Sequence, residues 1–232
     1  MPRGRGTRLT REAILDACMA IAKRAAPEGL TGGALGQELG VDRSAAWRHF
    51  PGHDALLTAV GDRLLLMAAE QVQEGLPPEA RLRSLARHLV DVFVAHPYIG
   101  AQTSCRMTRG PGELAVIELV LTVLEQACLR GQAVAHHQQL LTDTLLAYAG
   151  LRATYATLHA RTRVKDGRFQ WFDLSEENYP AIIRHLPSLS VQNHDGVLTT
   201  LLDTLWATVI GAAADDRRVV YDRHGERDPA HA

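Results

Sequence analysis

Residues 29–57, GLTGGALGQELGVDRSAAWRHFPGHDALL, constrain this chain more than any other stretch. Ala34, Leu35 and Leu39 recur at helical spacing, and Thr31 stands before them where its hydroxyl can accept a backbone N–H and start a helix. Gly40 falls where that helix must end, because glycine enters the left-handed region without a Cβ penalty. Asp42 is placed to cap a second short helix over 43–50, which Pro51-Gly52 stops. On that helix Ala46 and Phe50 are four apart and face inward, so Arg43, Ser44, Trp47 and Arg48 point outward. Two short helices joined by a tight glycine turn are the sequence form of a helix-turn-helix. An outward Arg, Ser, Trp, Arg set suits contacts to phosphates and base edges. An ordinary helical hairpin with a solvated basic face has the same helix-glycine-helix core, so the turn alone does not decide between them.

Charge distribution adds weight. Net charge over 232 residues is −1, which is not that of a nucleic-acid binder as a whole. Residues 1–50 nevertheless carry eight basic groups (Arg3, Arg5, Arg8, Arg11, Lys23, Arg24, Arg43, Arg48) and five acidic ones (Glu12, Asp16, Glu28, Glu38, Asp42), a surplus of +3. The first eleven residues form an acid-free arm in which Arg3 and Arg5 can lie along DNA or enter a minor groove. A basic tail with no such role is the plainer alternative.

Periodicity reads as helix throughout, with no convincing strand. Helices are expected over about 10–24, 31–39, 43–50, 53–74, 79–95, 96–106, 112–129, 135–159 and 195–214. A short one is expected near 179–186, inside the otherwise irregular 162–194 stretch. The expected fold class is therefore all-α: an N-terminal three-helix head carrying the helix-turn-helix, and a larger helical bundle. The divisions are 1–52 for the DNA-binding head with its basic arm, 53–214 for the larger helical body, and a charged tail over 215–232 expected to be disordered.

Other classes find less support. Cys18, Cys105 and Cys128 are widely spaced and odd in number, which fits a reducing cytoplasm and no metal pattern. The N-terminus has no apolar signal region, and the apolar run 114–124 is too short to span a bilayer, so no membrane role is expected. Eleven histidines invite a metal reading. His49 and His53, however, are separated by the helix-breaking Pro51-Gly52, and His136-His137 would point to different sides of a helix. No nucleophile elbow, phosphate loop, zinc-protease or dinucleotide motif is present. Neither a catalytic centre nor a cofactor is expected.

Arg11-Glu12-Ala13-Ile14-Leu15-Asp16-Ala17, Gly29-Leu30-Thr31, the LGQELGV of 35–41, Ala46-Trp47-Arg48-His49-Phe50 and His53-Asp54-Ala55-Leu56-Leu57 together resemble the tetracycline-repressor (TetR) family of bacterial transcriptional regulators. The last two pieces are similar to that family's Leu-Tyr-x-His-Phe and Lys-x-x-Leu-Leu. Trp47 replaces the usual tyrosine and loses its hydroxyl, His53 replaces a lysine, and Gly32 and Gly33 replace polar residues, which weakens phosphate anchoring. The resemblance implies phosphate contacts from His49, His53 and the Thr31 end of the second helix.

The resemblance also implies a homodimer on a palindromic DNA operator, released by a small molecule. Gly150, Thr154 and Thr157, with Leu198, Leu201 and Leu205, are expected at the dimer interface. Phe93, His96, Tyr98, Met107, Tyr148, Arg152, Tyr155 and Trp171, amphipathic residues on apolar stripes, are expected to line a largely apolar, aromatic-tolerant effector pocket. Arg152, inside such a stripe, needs an acidic partner, a helix edge or a cavity. The alternative is a regulator of the same kind with no small-molecule effector, controlled by a protein partner or constitutive. A ligand-sized closed cavity in the body separates the two readings, and a fully packed interior favours the second.

Overall fold

The computed structural model describes residues 9–24, 30–162, 175–189 and 193–225. Among them are nine α-helices, one short 3-10 helix and no strand, so the fold is all-α as expected. The helices are α1 (Arg11–Ala22), α2 (Gly32–Leu39), α3 (His53–Glu70), α4 (Pro78–Ala95), α5 (Pro97–Thr103), α6 (Pro111–Gln126), α7 (Gly131–Thr162), α8 (Pro180–Leu189) and α9 (His194–Gly225), with the 3-10 helix Ala45–Arg48 between α2 and α3.

Capping chemistry sets several starts. Thr10 Oγ1 accepts from Ala13 N at 3.1 Å to begin α1, and α4, α5 and α6 each open on a proline, whose missing N–H is no loss in a first turn. Ile14, Leu15, Cys18 and Ile21 bury one face of α1, and Leu56, Leu57, Val60, Leu64 and Leu65 bury α3. Burial pushes the Cys18 thiol up to about 12, so it behaves as a small apolar side chain.

One connected core runs from α1 to α9. α3 is its spine, packing on α1 at one end and on α4, α5 and α6 along its length, while α7 covers α4, α5 and α6. Arg63 joins α3 to α1 through Glu12 at 2.8 Å and Asp16 at 3.3 Å. Arg83 of α4 bridges Glu79 of its own helix and Asp203 of α9, and these two carboxylates hold its guanidinium further above its ordinary value.

Four boundaries differ from expectation. The expected 43–50 helix is a four-residue 3-10 helix. Asp42 Oδ1 accepts from both Ser44 N (2.8 Å) and Ser44 Oγ (2.5 Å), so it closes a tight turn instead of capping an α-helix. The bonds that follow span three residues: Trp47 N to Ser44 O and His49 N to Ala46 O. α3 stops at Glu70, before Gly75, which takes φ 83° further on. α7 begins at Gly131, and α9 continues through Gly225, well into the stretch expected to be a disordered tail. No glycine or proline interrupts the sequence between Gly211 and Gly225, so nothing stops the helix. The stretch 194–215 is also long and apolar enough, by length and composition, to cross a membrane, a second apolar run longer than 114–124.

Candidate nucleic-acid interface and effector groove

The corner from α2 to α3 is built by steric fit. Thr31 Oγ1 accepts from Ala34 N at 3.1 Å and begins α2. Gly40 ends it at φ 64°, and Gly36 O accepts from both Gly40 N and Val41 N, the latter at 3.0 Å, which folds the chain back over the helix end. A Cβ at Gly36 would sit 2.9 Å from Val41 O and 3.2 Å from Arg43 Cα, so only glycine lets the turn fold back this closely. Ala46 and Phe50 are buried, 2% and 1% exposed, and anchor the 3-10 helix to the core as the spacing predicts. Arg11 lies beneath: its guanidinium carbon is 4.2 Å from the Phe50 ring centroid, and it donates to His49 O at 3.3 Å.

That packing leaves Arg43, Ser44, Arg48 and His53 exposed, with His53 at the first position of α3. His49 is half-buried. Ser44 is already held by Asp42, whose carboxyl stays below its ordinary range chiefly because Ser44 hydrogen-bonds to it, with help from Arg43 and Arg48. Trp47 departs from the outward set. It is half-buried against the core, its indole over Gly32, where a Cβ would meet Nε1 at 3.1 Å and Arg43 O at 2.9 Å. Gly32 and Trp47, two separate oddities in the sequence, are one packing arrangement: the missing side chain makes room for the larger ring. Arg3, Arg5 and Trp171 lie outside the described residues.

The second site is a groove of about 640 Å³. Its apolar floor is Leu65 of α3, Val116 and Ile117 of α6 and Leu146 of α7. Gln138, Gln139, Thr142 and Asp143 of α7 form one wall, and Ser104 to Met107 with Glu113 form the other. Residues 104–110, between α5 and α6, are held by charge. Asp62 of α3, 8% exposed, accepts from Thr108 Oγ1 (2.7 Å), Gly112 N (3.1 Å) and Glu113 N (3.0 Å), capping α6 from a neighbouring helix. Glu113 Oε2 accepts from Thr108 N (2.5 Å), Thr108 Oγ1 (3.0 Å) and Arg109 N (2.7 Å), fixing Arg109 at φ 53°. Arg106 pairs with Asp54, next to His53 in the first turn of α3. None of these acids was singled out in the sequence. The available signal was Asp62, a lone carboxylate in the buried register of α3.

Of the residues expected to line an effector pocket, Met107 lies at this groove, 77% exposed. Phe93 is fully buried in the core and Tyr98 half-buried against it, as aromatics at helical spacing commonly are. His96 is 2% exposed where α4 meets α5. Its Nδ1 donates to Val92 O at 2.9 Å, and burial, with the Lys23 charge, holds it below its ordinary value. Tyr148 and Arg152 instead connect α7 to the start of α9. The Tyr148 hydroxyl donates to His194 O (3.1 Å) and Arg152 reaches the His194 ring (2.9 Å), while burial raises the Tyr148 phenol. Tyr155 is 42% exposed.

The expected interface residues also divide. Gly150, Leu198 and Leu205 are buried within this chain, a Cβ at Gly150 meeting Ser104 at 2.3 Å, while Leu201 and Thr157 are half-buried and Thr154 is exposed. Among the described residues of α7 and α9, Leu140, Leu151, Val197 and Ile210 are large apolar side chains left exposed. Among the described residues no cluster of His, Cys, Asp and Glu could hold a metal ion.

This architecture is that of the TetR-family regulators, and the resemblance drawn from the sequence is borne out in the fold. ActR of Streptomyces coelicolor, a TetR family protein solved in complex with actinorhodin, superposes with a TM-score of 0.71 at 19% identity over 89% of this chain and 99% of that one. The transcriptional regulator SCO7222, a TetR from Streptomyces coelicolor, gives 0.70 at 19% identity over 88% and 99%. In sequence, the HTH-type transcriptional repressor DrrR1 of Streptomyces coeruleorubidus is 28% identical over 123 residues. That match covers 53% of this chain and 46% of DrrR1, so the chain spans about half the length of that relative. No family model matches the chain.

Proposed function

We propose that this chain is a non-enzymatic, cytoplasmic, homodimeric transcriptional regulator of the TetR type. It reads a palindromic operator through residues 31–53 and answers to a small molecule in the groove between α3, α6 and α7. The observation that carries the reading is the α2–α3 corner. Buried Ala46 and Phe50 fix the backbone, and that leaves Arg43, Ser44, Arg48 and His53 at the surface, a donor-rich set suited to phosphates and base edges. DrrR1, named a repressor, and ActR, solved with actinorhodin, support DNA-linked control and small-molecule binding respectively. The uncovered apolar face of α7 and α9, with Val197 55% and Ile210 46% exposed, supports a second copy there and gives α9 a partner other than lipid. A regulator of the same kind with no small-molecule effector, controlled by a protein partner, is the second reading, favoured by the exposure of Met107 and Gln139 beside the groove.

Fluorescence anisotropy against the DNA flanking its own coding sequence, read at two salt concentrations, tests the proposal. Affinity is expected to fall steeply with salt. Arg43→Ala is expected to relax base preference at a cost of about 1–3 kcal/mol. Light scattering on the same sample should give a dimer. An affinity indifferent to salt overturns the reading.

A further inference from the structure

Arg106 is short of a partner. Its Nε is buried with no hydrogen bond among the described residues, and its charge is met by Asp54, whose side chain is 80% exposed. An ion pair to so exposed a carboxylate is screened and weak, while a guanidinium with an unsatisfied N–H gains from a second acceptor. Arg106 is also part of the groove wall, above the apolar floor of Leu65, Val116 and Leu146.

We infer that the groove takes a ligand with an apolar body and a single anionic group, and that Arg106 binds this anion in exchange for Asp54. The inference rests on reading the groove as the effector site and adds the chemical class of the effector. Two carboxylates border the groove. Glu113 Oε2 is turned into the 104–110 segment, where it accepts from Thr108 and Arg109. Asp143 is exposed on α7, where solvent screens it. Arg106 is the one cation among the residues lining the groove, and a planar guanidinium suits a carboxylate, sulfonate or phenolate.

The exchange links the groove to the proposed DNA surface. Asp54 adjoins His53 in the first turn of α3, so a ligand that claims Arg106 unties residues 104–110 from the end of α3 nearest the 3-10 helix. Ligand and Asp54 compete for one guanidinium, so removing the Asp54 charge must tighten ligand binding.

The probes are 8-anilinonaphthalene-1-sulfonate and its neutral analogue N-phenyl-1-naphthylamine, which differ by the sulfonate, titrated by fluorescence into the full chain. Arg106→Gln is expected to weaken the sulfonate dye about tenfold and leave the neutral dye within about twofold. Arg106→Lys should restore most of the loss. Asp54→Asn should tighten the sulfonate dye about threefold without affecting the neutral one. Thr142→Trp, which fills the groove, should remove both. If Thr142→Trp removes both dyes but Arg106→Gln leaves the sulfonate dye unchanged, the anion assignment falls and the groove stands. If Thr142→Trp leaves both dyes bound, the groove is not their site, and this inference and the effector reading fall together, while DNA affinity still tests the regulator reading.

Discussion

Two irregular corners govern this chain, and they are held by different forces. Residues 40–44 join α2 to the 3-10 helix chiefly through close steric approach, with Gly36 under Val41 and Arg43, Gly32 under Trp47 and Phe50 in the core, and Asp42 closes the turn onto Ser44. Residues 104–110 join α5 to α6 largely through carboxylates, with Asp62 and Glu113 accepting from Thr108, Arg109, Gly112 and Glu113 itself and Arg106 reaching Asp54. A steric corner has one arrangement and is indifferent to salt. A corner held by charge can exchange one partner for another of similar worth. The first suits the proposed DNA surface, which would have to keep its shape, and the second the proposed effector groove, which would have to respond.

The comparison breaks most visibly at Phe50. Phe50→Ala is expected to cost about 3–5 kcal/mol in chemical denaturation, equally at low and high salt. A salt-dependent loss would mean that the Arg11 contact, not packing, holds the corner. Next comes a pair of glycines. Gly36→Ala drives a Cβ into backbone and should cost about 1–3 kcal/mol. At Gly33 a Cβ meets only Thr31 Oγ1 at 3.8 Å, so Gly33→Ala should stabilise by about 0.5–1 kcal/mol. Equal effects at the two positions would remove the steric argument.

At the charged corner, Asp62→Ala strands the buried N–H of Gly112 and should cost about 1–3 kcal/mol. The loss should be accompanied by faster amide exchange over 108–113. Exchange unchanged there would show that Asp62 is not what holds the turn.

His96, buried where α4 meets α5, gives the smallest and most specific effect. Its folded value lies below the ordinary 6.5, so the unfolded chain binds its proton more readily. Its contribution is complete above about pH 6.5 and is lost as pH falls below that. His96→Gln should flatten the fall in stability between neutral pH and pH 5, and an unchanged slope would assign that fall to other groups.

The steric corner was largely legible because its signals are local. Thr31, Gly40, Ala46 and Phe50 act within a few residues of themselves, and spacing alone places them. Trp47 and Gly32 were visible as oddities, but that one makes room for the other required coordinates. The charged corner was not legible, because Asp62 and Arg106 act on partners about fifty residues away and no period in the sequence joins them. The aromatic set misled for a related reason: Phe93 and Tyr98 have the composition of a pocket and the helical spacing of a core, and spacing prevailed. Gly150 has the small size of an interface residue, whereas its missing side chain admits Ser104 from inside the chain.

α3 runs unbroken through 18 residues from His53 to Glu70, about 27 Å of rise. It is one rigid lever, tied near its head end by Asp54 and near its middle by Asp62. A tilt of about 5° about its far end would carry His53 through about 2 Å, several times the distance range over which a hydrogen bond holds its strength. In the proposed regulator, mechanical advantage of this kind would let a single rearranged side chain at the groove be felt as a lost fit a helix-length away.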